Sequence, residues 1–154
     1  IYYMSLEWGT ITWFLFHTLA EKIKDTSYAE KKDELLKLVI LICHSLPCPD
    51  CQEHAKETLK YLKKNTLNTK EDFQKMLWSF HNLVNRRRRI AQLPFEECKA
   101  KYEKANLNVI LNNFYIIWSQ NFRVMKLMGD SFNRDMTLKH VRKWMESNIE
   151  HFES

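Results

Sequence analysis

The sequence predicts an all-α fold, and three observations carry the expectation. Two glycines and three prolines serve 154 residues, whereas sheets built on tight turns use both residue types freely. Apolar side chains recur at spacings of three and four along most of the chain, the period of a helix with one buried face. No stretch shows the strand–helix–strand alternation that a parallel sheet needs. The length suits one domain with a real core, and an aromatic content of 13% is globular rather than disordered.

The elements follow in order. Trp8, Ile11, Leu15, Leu19 and Ile23 define the buried face of a first helix, and Gly9, Trp13 and His17 form a second line along it at spacing four. A second helix spans Ala29 to Ser45, charged at its start and almost wholly apolar at its end, which suits a buried helix or an interface. Pro47 ends it, and Pro49 fits the first turn of a third helix reaching about Lys63. The polar break Asn65 to Asn68 precedes a fourth helix, about Lys70 to Ile90, with Phe73, Leu77, Phe80 and Val84 on one side. Pro94 marks a turn, and Phe95, Cys98 and Tyr102 fit a short fifth helix. Leu107, Leu111, Phe114, Trp118, Phe122 and Met125 line one long helix that Gly129 would stop. Thr137 would cap a final helix with the inner face Leu138, Val141, Met145, Ile149 and Phe152. The natural boundary lies near Asn106, dividing 1–106 from a helical extension, 107–154.

Composition excludes little else. The net charge of +5 is mildly basic and admits an anionic ligand without requiring nucleic acid. The longest apolar run, Leu35 to Cys43, is interrupted by Lys37 and too short to cross a bilayer. Four cysteines are too few for a disulfide scaffold.

Two of those cysteines stand three apart in "LPCPDC", with Cys48 just before the third helix and Cys51 in its first turn. Free backbone N–H groups and the helix dipole stabilise a thiolate there, which turns such a pair into a redox couple. Cys51 shares a side with Ala55, Thr58 and Leu62, so it faces inward, while Cys48 can meet an incoming thiolate. Zinc is an alternative, but four ligands are needed, and Cys43, His44, His54 and Cys98 fit no standard spacing. Two unreactive buried cysteines are another. A second constellation, "FHNLVNRRRR" from Phe80 to Arg89, sets imidazole, amide and guanidinium groups on one helix. It offers stacking, hydrogen bonds and charge pairing, the three needs of a dinucleotide. Read singly, Trp13, His17 and His81 would be core or surface residues. The arginine run alone would be a solvated face or a nucleic-acid patch.

Taken together, "WGTITWFLFHTLAEKI", "LPCPDCQEHA" and "FHNLVNR", in this order and at these separations, resemble the Erv/ALR family of FAD-linked sulfhydryl oxidases. The form LPCxxCxxHA is similar to versions carried by large double-stranded DNA viruses. The likeness covers about Trp8 to Tyr102. It implies a four-helix bundle plus a short crossing helix that binds FAD, usually as a homodimer. It also implies a thiol oxidase that forms disulfides in protein substrates and reduces molecular oxygen to hydrogen peroxide. Cys48 and Cys51 would be the catalytic pair, Cys51 nearer the flavin. Gly9, Thr12, Trp13 and His17 would line the pocket. His81, Asn82, Val84, Asn85 and one or more of Arg86, Arg88 and Arg89 would hold the adenosine and pyrophosphate, with Tyr102 closing the adenine side. No metal, nucleic acid or membrane enters this reading. The viral form implies the host cytoplasm or the virion, and a cellular form the mitochondrial intermembrane space or another oxidising compartment. A zinc-stabilised helical binding module and a basic nucleic-acid adaptor are the competing readings.

The chain departs from the family in two respects. Many relatives carry a structural disulfide between the fourth and fifth helices; Cys98 matches one position, but Trp78 stands at the other. No cysteine lies before Cys43 or after Cys98 to form a shuttle pair.

Overall fold

A computed structural model describes residues 2–120 and 130–154. Among them the secondary structure is helical: α1 (Tyr2–Lys22), α2 (Asp25–Cys43), α3 (Pro49–Lys60), α4 (Lys70–Arg87), α5 (Phe95–Glu103), α6 (Leu107–Trp118) and α7 (Asp130–Asn148), with short 3-10 turns at Lys64–Thr66 and Ile149–His151. The all-α class is therefore the one observed.

Helix ends sit where local chemistry sets them. Thr69 and Asp72 form a capping box at the start of α4: the Asp72 amide donates to Thr69 Oγ1 at 3.1 Å, and Asp72 Oδ2 accepts from the Thr69 amide at 3.0 Å. Two of the helix's orphan donors are thereby satisfied. Asn106 Oδ1 caps α6 by accepting from the Val109 amide. At the far end of α4, Arg89 adopts φ 57°, the left-handed conformation that stops a helix and is more often given to glycine.

α1 is the central element, packed against α4, α5 and α6, while α2 packs on α3 and α7. The buried face predicted for α1 is the one found: Trp8, Ile11, Leu15, Leu19 and Ile23 all enter one core with Leu35, Val39 and Ile42 of α2 and Phe73, Leu77 and Phe80 of α4. The same core runs through position 106. Leu107, Leu111, Phe114 and Trp118 of α6 and Val141 and Met145 of α7 belong to it. The chain end returns to the α1–α2 turn, where the Glu153 amide donates to the Lys22 carbonyl at 2.6 Å and the Lys24 amide to the His151 carbonyl at 2.8 Å.

Three expectations for the extension meet different fates. The single long helix expected from Leu107 through Met125 is not found, because α6 ends at Trp118 with Ser119 as its C-cap, while Phe122, Met125 and the stop at Gly129 lie outside the described residues. Thr137 does not cap a helix: α7 already begins at Asp130, and Thr137 is buried within it, its hydroxyl 2.6 Å from Ser45 Oγ. A threonine in mid-sequence looks like a cap until a tertiary partner is available for its hydroxyl. Ile149 is 44% exposed rather than inward-facing, because the change from α-helix to 3-10 turn after Asn148 shifts the register of the face.

Where relatives carry a staple between the fourth and fifth helices, this chain has a noncovalent clamp. Trp78 Nε1 and Asn82 Nδ2 both donate to the Leu93 carbonyl, at 2.6 and 2.9 Å, and Asn82 Oδ1 accepts from the Leu93 amide. The Phe95 ring packs edge-on against Trp78. Cys98 is a free, buried thiol.

Candidate active site

Cys48 and Cys51 are joined as a disulfide, their Cα atoms 5.2 Å apart. Pro49 occupies the first turn of α3, where its missing N–H costs nothing, and Cys48 is the N-cap. The Cys51 amide points at Cys48 Sγ, 3.3 Å away. The helix-capping sulfur is thus Cys48, and a thiolate on it gains from that amide and the dipole behind it. The predicted division into an outer and an inner sulfur is not visible as burial, since both cysteines are half-buried and both line the same cavity. Gln52 steadies the approach by donating from Nε2 to the Leu46 carbonyl at 2.6 Å.

The cavity onto which the disulfide opens holds about 430 Å³, within the usual range for cofactor sites. Trp8, Gly9, Thr12, Trp13 and Phe16 of α1 form one wall. Phe80, Val84 and Arg87 of α4 with Arg88 at its C-cap form another, and Cys43, Leu46, Asp50, His54 and Ala55 complete it with the disulfide. A methyl group added at Gly9 would meet nothing within 4 Å, so this residue leaves open space on the cavity side of α1. Thr12 is anchored from behind: its hydroxyl donates to the Trp8 carbonyl at 2.6 Å and accepts from Trp118 Nε1 at 2.9 Å.

Beside the cavity stands a pile of rings. His81 stacks on Trp13 with centroids 4.0 Å apart and planes 6° from parallel. His17 stacks on Tyr102 at 4.3 Å. The two imidazoles meet edge to edge, His17 Nε2 to His81 Nδ1 at 2.9 Å, and Cys98 Sγ lies 3.9 Å from His17 Nδ1. Two proton arrangements satisfy both contacts: the relay runs from the Cys98 thiol through His17 to His81 Nδ1, or in reverse from His81 Nδ1–H through His17 to the sulfur. Burial, then the neighbouring imidazole, then Lys101 hold His17 down to about 3. Burial and Lys101 hold His81 down to about 4. Burial pushes the Cys98 thiol up to about 11 and the Cys43 thiol up to about 12, so both stay protonated at neutral pH.

These imidazoles make stability depend on pH. Both histidines titrate lower in the folded chain than in the unfolded one, so the unfolded chain binds more protons as pH falls. Their contribution is whole above about pH 6.5 and is lost as pH drops through about 4 and then about 3. We expect the melting temperature of the holoprotein to fall between pH 6.5 and 4, and to fall less in a His17→Gln, His81→Gln double variant. Identical calorimetric profiles for the two proteins would show that the imidazoles carry none of the effect.

The predicted site residues thus divide. Gly9, Thr12, Trp13, Cys48, Cys51, Val84 and Arg88 share the cavity. His17, His81 and Tyr102 form the ring pile next to it. Asn82 is buried and gives both ends of its amide to Leu93. Asn85 contributes its carbonyl to the turn closing α4, accepting from the Ile90 amide at 2.8 Å. Arg86 and Arg89 are exposed and do not line the cavity, whereas Arg87, passed over in the sequence, does. Helical spacing could have found it, because Phe80, Val84, Arg87 and Arg88 fall on one face. His54 is another addition: partial burial and then Arg87 lower its pKa, and it sits one turn after Cys51 on the cavity wall.

The fold and site thus define a helical domain in which a disulfide at a helix start opens on an aromatic cavity with Asp50, Arg87 and Arg88 in its lining. The chain belongs to the Erv1 / Alr family, whose profile matches residues 10–104. It is 38% identical over 107 residues to the FAD-linked sulfhydryl oxidase of a Malawi tick isolate of African swine fever virus, covering 68% of this chain and 87% of that protein. The FAD-linked sulfhydryl oxidase of a Kenyan pig isolate is 36% identical over the same shares of each chain. The FAD-linked sulfhydryl oxidase ERV1 of Oryza sativa subsp. japonica is 31% identical over 98 residues, 64% of this chain and 50% of that protein. No solved structure matches the chain.

Proposed function

We propose that this chain is an FAD-linked thiol oxidase that forms disulfides in protein substrates and passes the electrons to molecular oxygen. The observation that carries the reading is the Cys48–Cys51 disulfide opening on the cavity of α1 and α4. The residues present suit FAD. Trp8, Trp13, Phe16 and Phe80 offer apolar faces for a flat ring. Arg87 and Arg88 would hold the pyrophosphate. His17, His81 and Tyr102 present flat rings of the kind that accept an adenine.

The chain's own chemistry runs through two exchanges. A substrate thiolate attacks Cys48 Sγ; a bond forms between the two sulfurs, the Cys48–Cys51 bond breaks, and Cys51 leaves as a thiolate. A second substrate thiolate then attacks the substrate sulfur of the mixed disulfide. Cys48 leaves with the electron pair, and the Cys51 amide that caps it favours its departure. Two substrate thiols have become a disulfide, and the pair on α3 is reduced. When bound, FAD supplies a two-electron acceptor for that pair which oxygen can reoxidise, giving hydrogen peroxide. Neutral His17 and His81 keep positive charge out of the ring pile.

The test is direct. Purified protein should be yellow, release one FAD per chain on denaturation, and produce one hydrogen peroxide per disulfide formed. A colourless native protein carrying stoichiometric zinc would favour the zinc-stabilised binding module. Salt-dependent binding to nucleic acid without flavin would favour the basic adaptor. Among the described residues no group of three or more candidate ligands could hold a metal ion. We also propose a homodimer, on the family resemblance, which sedimentation decides. The proposed place of action is the host cytoplasm or the virion, supported by the likeness to African swine fever virus proteins. No described helix is long and apolar enough to cross a membrane.

A further inference from the structure

A second concavity, of about 510 Å³, runs between the C-terminal half of α3, the 3-10 turn that follows it and the middle of α4. Its lining is mostly apolar, with Leu59, Leu62, Leu67, Met76 and Leu83 prominent. Two features set it apart from an ordinary surface dent. Tyr61 and Leu83 at its edge are 70% and 39% exposed, so apolar surface there is uncovered. Phe80 belongs to its wall and to the wall of the redox cavity, so one ring separates the two.

Its lining holds one carboxylate and one ammonium, Asp72 and Lys75, and the surface around it is richer in lysine. Between positions 56 and 75, which supply much of its wall, the chain has six lysines against three carboxylates. Those carboxylates are engaged: Asp72 in the capping box, Glu71 with Lys75, and Glu57 as acceptor for the Tyr61 hydroxyl. Lys60, Lys63 and Lys64 are exposed, and Lys60 Nζ lies over the Tyr61 ring. An apolar slot with exposed lysines beside it at Lys60, Lys63 and Lys64 is complementary to an apolar side chain flanked by carboxylates.

We propose that this groove docks the substrate polypeptide, seating one large apolar side chain flanked by acidic residues and so delivering a nearby cysteine to Cys48. The proposal rests on the thiol-oxidase reading. α3 carries both sites, the disulfide at its start and Leu59 near its end. The eleven residues from Cys48 to Leu59 rise about 16 Å, which about five residues of extended chain would span. The anchoring side chain therefore lies about five residues from the attacking cysteine.

The experiment uses the FAD-loaded protein and three thiols. One is a reduced two-cysteine peptide with a phenylalanine about five residues from the first cysteine, flanked by glutamates. The second has lysines in place of the glutamates, and the third is dithiothreitol. We expect kcat/KM for the acidic peptide to exceed that for the basic one by about tenfold. It should fall about tenfold in a Tyr61→Ala, Leu83→Asp double variant whose dithiothreitol turnover is unchanged. Equal turnover of the two peptides, or no fall in the variant, overturns the proposal. So does a variant that also loses dithiothreitol turnover, or one whose sedimenting mass drops, which would assign the groove to support of the site or to a second copy. If the wild-type protein oxidises none of the three thiols, the oxidase reading itself fails and the groove proposal goes with it.

Discussion

Cys51→Ser will fold, bind flavin and fail to oxidise thiols. Turnover of a dithiol should fall by about a thousandfold or more, since the variant cannot form the disulfide that a substrate thiolate attacks. The fold should survive because the loop closed by this disulfide is short. Chain-entropy arithmetic gives it only about 2 kcal/mol, while α3 keeps Pro49 at its first turn and its packing on α2. Flavin content separates this outcome from simple misfolding. The remaining thiols cannot substitute: burial holds Cys43 and Cys98 protonated, and a protonated thiol is a poor nucleophile. Stoppage of turnover with full flavin content is the expected result, and retained turnover would remove the pair on α3 from the mechanism.

Trp118→Ala should cost the protein both stability and flavin, although Trp118 lies beyond the family match, which ends at residue 104. Its ring is among the largest fully buried side chains, tilted against Phe114 with centroids 4.9 Å apart. Truncating such a residue costs about 3–5 kcal/mol through lost burial and the cavity left behind. In a chain of this length that lowers Tm by roughly 10 °C. The flavin effect has a separate cause: Trp118 Nε1 donates to Thr12 Oγ1, and Thr12 is a wall of the redox cavity. Removing the donor leaves the Thr12 hydroxyl held only by its bond to the Trp8 carbonyl. Trp118→Phe isolates that contribution, keeping most of the burial while deleting the N–H. We expect it to lower flavin affinity more than Tm, and calorimetry beside flavin titration reads the two separately. Undiminished flavin affinity in both variants would leave α6 as cover alone. Ser45, bonded to Thr137, ties the extension to the loop that leads into the disulfide as well.

Much of this was legible in the sequence because it is written locally. The face of α1, the proline-framed helix start at Cys48 and the polar break before α4 depend on neighbours within a turn or two. The CxxC pair is legible for the same reason, since three residues of helix bring its sulfurs together whatever the rest of the chain does. The arginines show where this logic stops. Helical spacing from Phe80 and Val84 puts Arg87 and Arg88 on one face, but only the packing of α4 against α1 makes that face a cavity wall. Asn82 reads as a ligand for a base until the loop at Leu93 takes both ends of its amide. Thr137 reads as a cap until Ser45, ninety-two residues away in sequence, meets its hydroxyl.

By itself, then, the sequence determined the helical class, the order of the helices and the CxxC pair, all of which follow from interactions spanning a few residues. Tertiary structure alone decided which polar side chains face the cavity, that two histidines share a hydrogen bond 64 residues apart, and that α6 and α7 complete the core. The reason is physical: hydrophobic periodicity reports which face of a helix is buried but not against what, and a hydrogen bond between distant residues leaves no trace in either one's local context.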